Sequence, residues 1–191
     1  MSERLTREEV PVEETWRIED LFPTIKHWEA ALIAVDSEID RATRYRGRLG
    51  EGASTLLECL EAAENLMRKF YHIELYASLL LASDGTNPTN QAIAGRAASA
   101  KAHVEAGLSF IEPEILGLPD GAVEQYIAAE PRLEPFRRNL ERITGNKPYV
   151  LSLETEEVLA SLDEIMKAPY MLYNRTKSSD MRFEAATDSP L

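Results

Sequence analysis

The chain has 191 residues, 44% of them hydrophobic and 28% charged, and carries a formal net charge of −12. That length and apolar fraction suit one packed domain, or one and a fraction. The acidity excludes a phosphate-tracking surface for nucleic acid, which needs clustered cations, and argues equally against an anionic membrane surface.

Cys59 is the single cysteine, so neither an intramolecular disulfide nor a thiolate metal cluster can form. This fits a reducing compartment, and a cytoplasmic protein is expected. Residues 1–10 are polar and read as a mobile acidic tail without the apolar stretch of a secretory signal. The longest apolar runs, 30–35 and 75–82, are too short to span a bilayer.

After Pro11 a short segment carries Trp16, Ile18, Leu21 and Phe22, which are expected to dock onto the first helix. Thr24 is a good N-cap, and Trp28, Leu32, Val35, Ile39 and Ala42 recur at steps of four and three, one face of an amphipathic helix that Gly47 and Gly50 close. A second helix is expected after Ser54, with Leu56, Leu60, Ala63, Met67 and Phe70 inward. Its end, 75–82, is apolar nearly all round and should be buried on several sides. Residues 83–86 form a turn, and Asn87-Pro88 restart the helix with a cap and a first-position proline. The new stripe is Ile93, Ala97, Ala100, Val104, Gly107 and Ile111. Its spacing and the short turn predict a long antiparallel hairpin in which Gly95 and Gly107 let the backbones approach. Pro113 should kink or end this helix.

Leu118-Pro119-Asp120 open a shorter helix to about Ala129, Pro131 and Pro135 bracket a break, and a helix over 134–144 ends at Gly145-Asn146. Leu151-Ser152 should cap a helix with Val158, Leu159, Leu162, Ile165 and Met166 inward and Pro169 as its stop. From Met181 to Ala185 the pattern alternates and reads as a strand start. The expected fold is thus all-α: a long antiparallel helical hairpin plus shorter helices, with that strand start at the C-terminus. Residues 11–178 form the helical domain, and 179–191 begin a junction to further polypeptide.

Catalytic chemistry is narrowed by exclusion. His27, His72 and His103 sit alone on separate stretches, none paired at the i, i+4 spacing with which two imidazoles share a metal, and each reads as an ordinary helix residue. Cys59 among leucines reads as a small buried apolar residue. The acidic pairs Glu8-Glu9, Glu13-Glu14 and Glu156-Glu157 read as solvated faces or first helical turns, and Arg41, Arg44, Arg46 and Arg48 as cations complementing a helix C-terminus. No phosphate loop, nucleophile elbow or dinucleotide fingerprint occurs, so the sequence supplies no catalytic and no metal-ligating residue. Tyr71, Tyr76, Tyr149, Tyr170 and Tyr173 are the remaining residues of interest; packing with a satisfied hydroxyl is the default for each, substrate contact the sharper alternative.

Several segments together resemble the N-terminal region of oligoendopeptidase F, a zinc metallopeptidase family related to the thimet oligopeptidases: WRIEDLF at 16–22, FYHIELYASLL at 70–80 continuing into DGTNP at 84–88, LSLETEE at 151–157 and APYMLYN at 168–174. The resemblance covers essentially the whole chain and lies in the order of the segments. It implies a part of an enzyme that cleaves short peptides in a deep channel, with N-terminal helices forming one wall. It also implies zinc on an H-E-x-x-H helix in a C-terminal half, with metal-bound water as nucleophile. No histidine here is followed by glutamate, so no catalytic residue carries over. The expected partners are the C-terminal catalytic domain and oligopeptide substrates, with Tyr149 and Tyr173 as candidate substrate contacts. The alternatives are a stand-alone helical interaction scaffold and a helix-bundle carboxylate metal site; the lack of a Glu-x-x-His element speaks against the latter.

Overall fold

The computed structural model describes residues 9–149, 162, 165–173 and 176. The chain divides into two compact units, 1–147 and 148–191. No strand occurs among the described residues; the strand start at 181–185, the Leu151-Ser152 cap and the inward positions Val158 and Leu159 lie outside them.

The first unit is built on six helices: α1 (Ile25–Thr43), α2 (Ala53–Ser83), α3 (Pro88–Leu108), α4 (Ile111–Leu116), α5 (Ala122–Ala129) and α6 (Arg137–Gly145). Thr24 caps α1 by accepting from the His27 N–H, and Asn87 caps α3 through Thr89 and Asn90, as the sequence indicates. The cap of α2 is Gly52 rather than Ser54. At φ 149° that position takes a conformation side chains rarely adopt, so the chain turns into the helix where only glycine is free of strain.

At 31 residues, α2 is about 46 Å long and serves as a spine shared by two cores. Its first half packs Leu56, Leu57, Cys59 and Leu60 against Ile115, Val123, Leu133, Leu140 and Ile143 of the shorter helices. Its second half packs Leu66, Phe70, Ile73, Tyr76 and Ala77 against Trp28, Val35 and Ile39 of α1 and Ile93, Ala97 and Val104 of α3. The buried stripe is offset from the expected one: Ala63 and Met67 are only half-buried, while Leu66 and Ile73 are fully enclosed.

Helix α3 lies tight against α1 at Gly107, where an added Cβ would stand 2.7 Å from Ile39 Cγ2. Gly95 faces open space instead, so the close-packing role expected of both glycines belongs to Gly107 alone. The break after Leu108 comes before Pro113, which occupies the first turn of α4, where its missing N–H costs nothing. The 3-10 turn Pro131–Phe136 fills the expected break, and α6 ends at Gly145.

Three packing expectations are corrected. Trp16 is 67% exposed while Ile18 enters the core: Trp16 precedes the 3-10 turn Ile18–Asp20, and that turn carries Ile18 inward as its buried residue. The end of α2 is not enclosed on all sides: Leu75 is 46% exposed and Ser78 and Ala82 face outward, since α1 and α3 cover only one side of it. In the second unit Leu162, Ile165 and Met166 are exposed rather than inward, and residues 165–173 are helical through Pro169. A proline already holds helical φ but loses a donor and crowds the carbonyl four residues back, so Pro169 weakens this helix without ending it.

Candidate functional site

Between α1 and α2 lies an apolar cleft of about 350 Å³, lined by Val35, Leu66 and Ile73 and, among polar residues, by Glu38, Lys69 and His72. Glu38 is the one buried acid among the described residues. Its Oε1 accepts from Lys69 Nζ at 2.8 Å and from Arg41 Nη1 at 2.9 Å, and its Oε2 accepts from Asn65 Nδ2 at 3.2 Å. The hydrogen bond from Lys69 holds the carboxyl below its ordinary range against the opposing cost of burial, with the charges of Lys69 and Arg41 adding to it. A carboxylate so satisfied ties α1 to α2 and is a poor proton acceptor for substrate.

Because the folded state holds Glu38 at a lowered pKa, its stabilisation is complete above the ordinary carboxylate range and is lost as pH falls through the lowered value. Glu38→Gln is expected to flatten that acid limb of the unfolding midpoint against pH. Glu38→Ala is expected to cost about 1–2 kcal/mol near neutrality, measured by urea denaturation. Parallel pH profiles for wild type and Glu38→Gln would reject the assignment.

A second recess, about 360 Å³, lies between the 118–124 segment and α6. Lys147 Nζ closes it by donating to the Leu118 carbonyl at 3.1 Å and to Asp120 at 2.6 Å, which lowers the Asp120 pKa. The other shifted carboxylates tell the same story: Glu51 is held down by Arg48, Glu134 by Arg137, and Asp84 by the hydroxyl and amide of Thr86. Each is a closed local pair, not an acid and base driven apart for proton transfer.

Cys59 is buried, and burial followed by the nearby Glu114 charge pushes its thiol up to about 12. It is expected to resist a thiol reagent at pH 8 in the native chain and to react within minutes once denatured. Rapid native labelling would overturn its role as core packing.

The histidines stay apart, as expected. His27 joins the Thr24 cap at 2.8 Å, His103 Nδ1 lies 3.3 Å from Asp36, and His72 borders the cleft. No group of three His, Cys, Asp or Glu side chains able to hold a metal occurs among the described residues, so the residues present do not fit a zinc site. Of the tyrosines, Tyr76 is core, stacked on Trp28 and edge-on to Phe22. Tyr149 is 79% exposed and Tyr173 54%, both in the second unit. Two others that sequence reasoning passed over cross-link the fold: Tyr45 donates to Glu58 at 3.1 Å, and Tyr126 to the Gly50 carbonyl at 3.1 Å. Arg46, assigned above to a helix end, donates to the Gly107 carbonyl at 3.3 Å and lies over the Phe110 ring. Those partners are 61 or more residues away for Arg46 and 76 for Tyr126, so no local pattern signals them.

A family model of the N-terminal part of M3 peptidases, described as Oligopeptidase F, matches residues 114–183. Oligopeptidase PepF of Bacillus subtilis is 28% identical over 182 residues, which is 95% of this chain and 27% of that protein. This chain is a relative of the N-terminal region of oligoendopeptidase F. Group B oligopeptidase PepB of Streptococcus agalactiae is 30% identical over 88% of the chain and 28% of its own length. The crystal structure of oligoendopeptidase-F from Enterococcus faecium superposes with a TM-score of 0.66 at 31% identity, covering 84% of this chain and 32% of that one. The chain therefore spans about 30% of the length of these relatives. No helix among the described residues is long and apolar enough to cross a membrane.

Proposed function

We propose that this chain is the N-terminal helical part of a zinc-dependent oligoendopeptidase that hydrolyses short peptides, and that it acts in the cytoplasm. Its role there is to form one wall of the substrate channel and restrict entry to oligopeptides. The observation that carries this reading is the match to Oligopeptidase PepF over 95% of the chain. Zinc would then be held by polypeptide outside this chain, and no bond-breaking step is assigned to residues here.

What this chain supplies is rigidity. A 31-residue helix locked into two cores resists bending, and a stiff wall positions a flexible peptide while excluding a folded one. Tyr149 and Tyr173 are the proposed peptide contacts, each offering an apolar ring with a hydroxyl. The 191-residue chain alone is expected to bind no stoichiometric zinc and cleave no fluorogenic octapeptide. Joined to the polypeptide encoded downstream in its gene, it is expected to give chelator-sensitive cleavage of that peptide and none of a folded protein. Chelator-inhibited cleavage by the 191 residues alone would overturn the reading, as would a downstream product without peptidase activity.

A further inference from the structure

The segment between α1 and α2 is basic in an acidic chain. From residue 41 to 51, Arg41, Arg44, Arg46 and Arg48 stand against Glu51 alone, while the whole chain carries −12. Arg41 pairs with Glu38 and Arg48 with Glu51. Arg44 donates instead to the Tyr45 hydroxyl at 3.1 Å and Arg46 to the Gly107 carbonyl at 3.3 Å. Among the described residues neither of these two has a carboxylate within ion-pair distance. The backbone of the same turn offers donors as well. Gly47 has φ 78°, the left-handed conformation that bends the chain into a concavity of N–H groups. The Arg48 N–H donates to the Tyr45 carbonyl at 3.0 Å, which leaves those of Gly47 and Leu49 on either side of it.

An anion for that concavity comes from the chain itself. Glu114 of α4 accepts from the Gly47 N–H at Oε1, 2.5 Å, and from the Leu49 N–H at Oε2, 3.4 Å. The partners are 67 and 65 residues apart in sequence. Hydrogen bonds to an ionised carboxylate are stronger than those between neutral groups. The other long-range polar ties of the turn, Arg46 to the Gly107 carbonyl and Tyr126 to the Gly50 carbonyl, bring no negative charge. Residues at this joint continue into the core. Leu49 has no exposed surface and Ile115, next to Glu114, is 1% exposed; both belong to the cluster that encloses Cys59. Glu114 also lies near enough for its charge to act on the Cys59 thiol.

We propose that the 46–49 turn is an oxyanion-binding site whose resident ligand is the Glu114 carboxylate, and that this pairing is a latch closing the core over Cys59. The inference stands apart from the functional reading above. Removing the carboxylate leaves the Leu49 N–H unpaired beside an enclosed side chain, a cost the turn relieves by lifting away from α4. The core that α2 builds with α1 and α3 shares none of these residues and stays closed. The vacated turn keeps its two N–H groups and its flanking arginines, so a small inorganic oxyanion fits where the carboxylate was.

The experiment labels Cys59 with a neutral disulfide reagent under native conditions, in sodium sulfate and in sodium chloride of equal ionic strength. Glu114→Ala is expected to label roughly tenfold faster than wild type or more. Its rate should depend little on urea below the unfolding transition, the mark of local rather than global opening. Sulfate is expected to slow that labelling roughly threefold and saturably, as a site filled by the anion requires. Glu114→Gln, whose amide still fills the turn, should keep its chloride rate. Gly47→Ala strains the left-handed turn from the opposite side and should also label faster, which keeps the inference testable should Glu114→Ala not fold. A wild-type labelling rate in either variant that folds overturns the latch, as does a urea dependence equal to that of global unfolding. Equal slowing by sulfate in every chain is a general salt effect and overturns the oxyanion site, as does a Glu114→Ala rate that sulfate leaves unchanged.

Discussion

Trp28→Ala is expected to cost about 3–5 kcal/mol of folding stability, the range for removing a large enclosed aromatic. Trp28 has no exposed surface, and its indole Nε1 donates to the Ile73 carbonyl at 3.0 Å, tying α1 to α2. Tyr76 stacks on one side at 6.4 Å between centroids, and the Arg96 guanidinium lies 5.1 Å from the ring centre. Arg96 is also held by Glu29 at 2.6 Å, so the indole anchors α1, α2 and α3 at one point. Alanine leaves a void bounded by all three helices, which cannot close without moving one of them. Trp28→Phe should recover much of the loss, retaining ring contact while forfeiting the indole hydrogen bond. Urea denaturation followed by far-ultraviolet circular dichroism is the measurement, because the exposed Trp16 would contribute to fluorescence. A cost below 1 kcal/mol for the alanine variant would mean that the three helices do not meet at this residue.

Gly107→Val is expected to cost about 2–3 kcal/mol despite the better helix propensity of valine. The Cβ would meet Ile39 Cγ2 at 2.7 Å. That methyl branches from the Cβ of a residue inside α1, so it cannot swing aside as the end of a long side chain would. Gly95→Ala, with open space around it, is expected to stabilise by about 0.5–1 kcal/mol. The same class of substitution twelve residues apart on one helix thus has opposite signs. Combining Gly107→Val with Ile39→Ala should cost less than the two single changes added together, because the valine fills the space that Ile39 vacates. Strict additivity would remove the contact from the explanation.

Much of the fold was legible because it is local. Helical periodicity, the Thr24 and Asn87 caps and Pro88 place α1, α2 and α3 and their hairpin to within a few residues. The burial of Cys59 was equally readable from the leucines on either side of it. The Gly52 cap was not legible, because a serine two residues later offers the more familiar cap chemistry while the backbone turn needed positive φ. Neither was the exposure of Leu75 and Ala82: an apolar run looks the same whether or not a neighbour covers its second side. For Tyr149 and Tyr173 the sequence offers residue type as its one signal, because a contact with a flexible peptide leaves no periodicity behind.

The sequence by itself determined the long helices α1, α2 and α3 and the Thr24 and Asn87 caps, since propensity and capping act over a few residues. Only the tertiary structure decided that α2 serves two cores, that Gly107 rather than Gly95 bears the close approach, and that Glu38 is knotted by Lys69, Arg41 and Asn65. Each of these depends on side chains from distant parts of the chain arriving at one place. A helical period specifies which face of an element turns inward, but the partner that face meets, and how closely, is set by the packing of all the elements together.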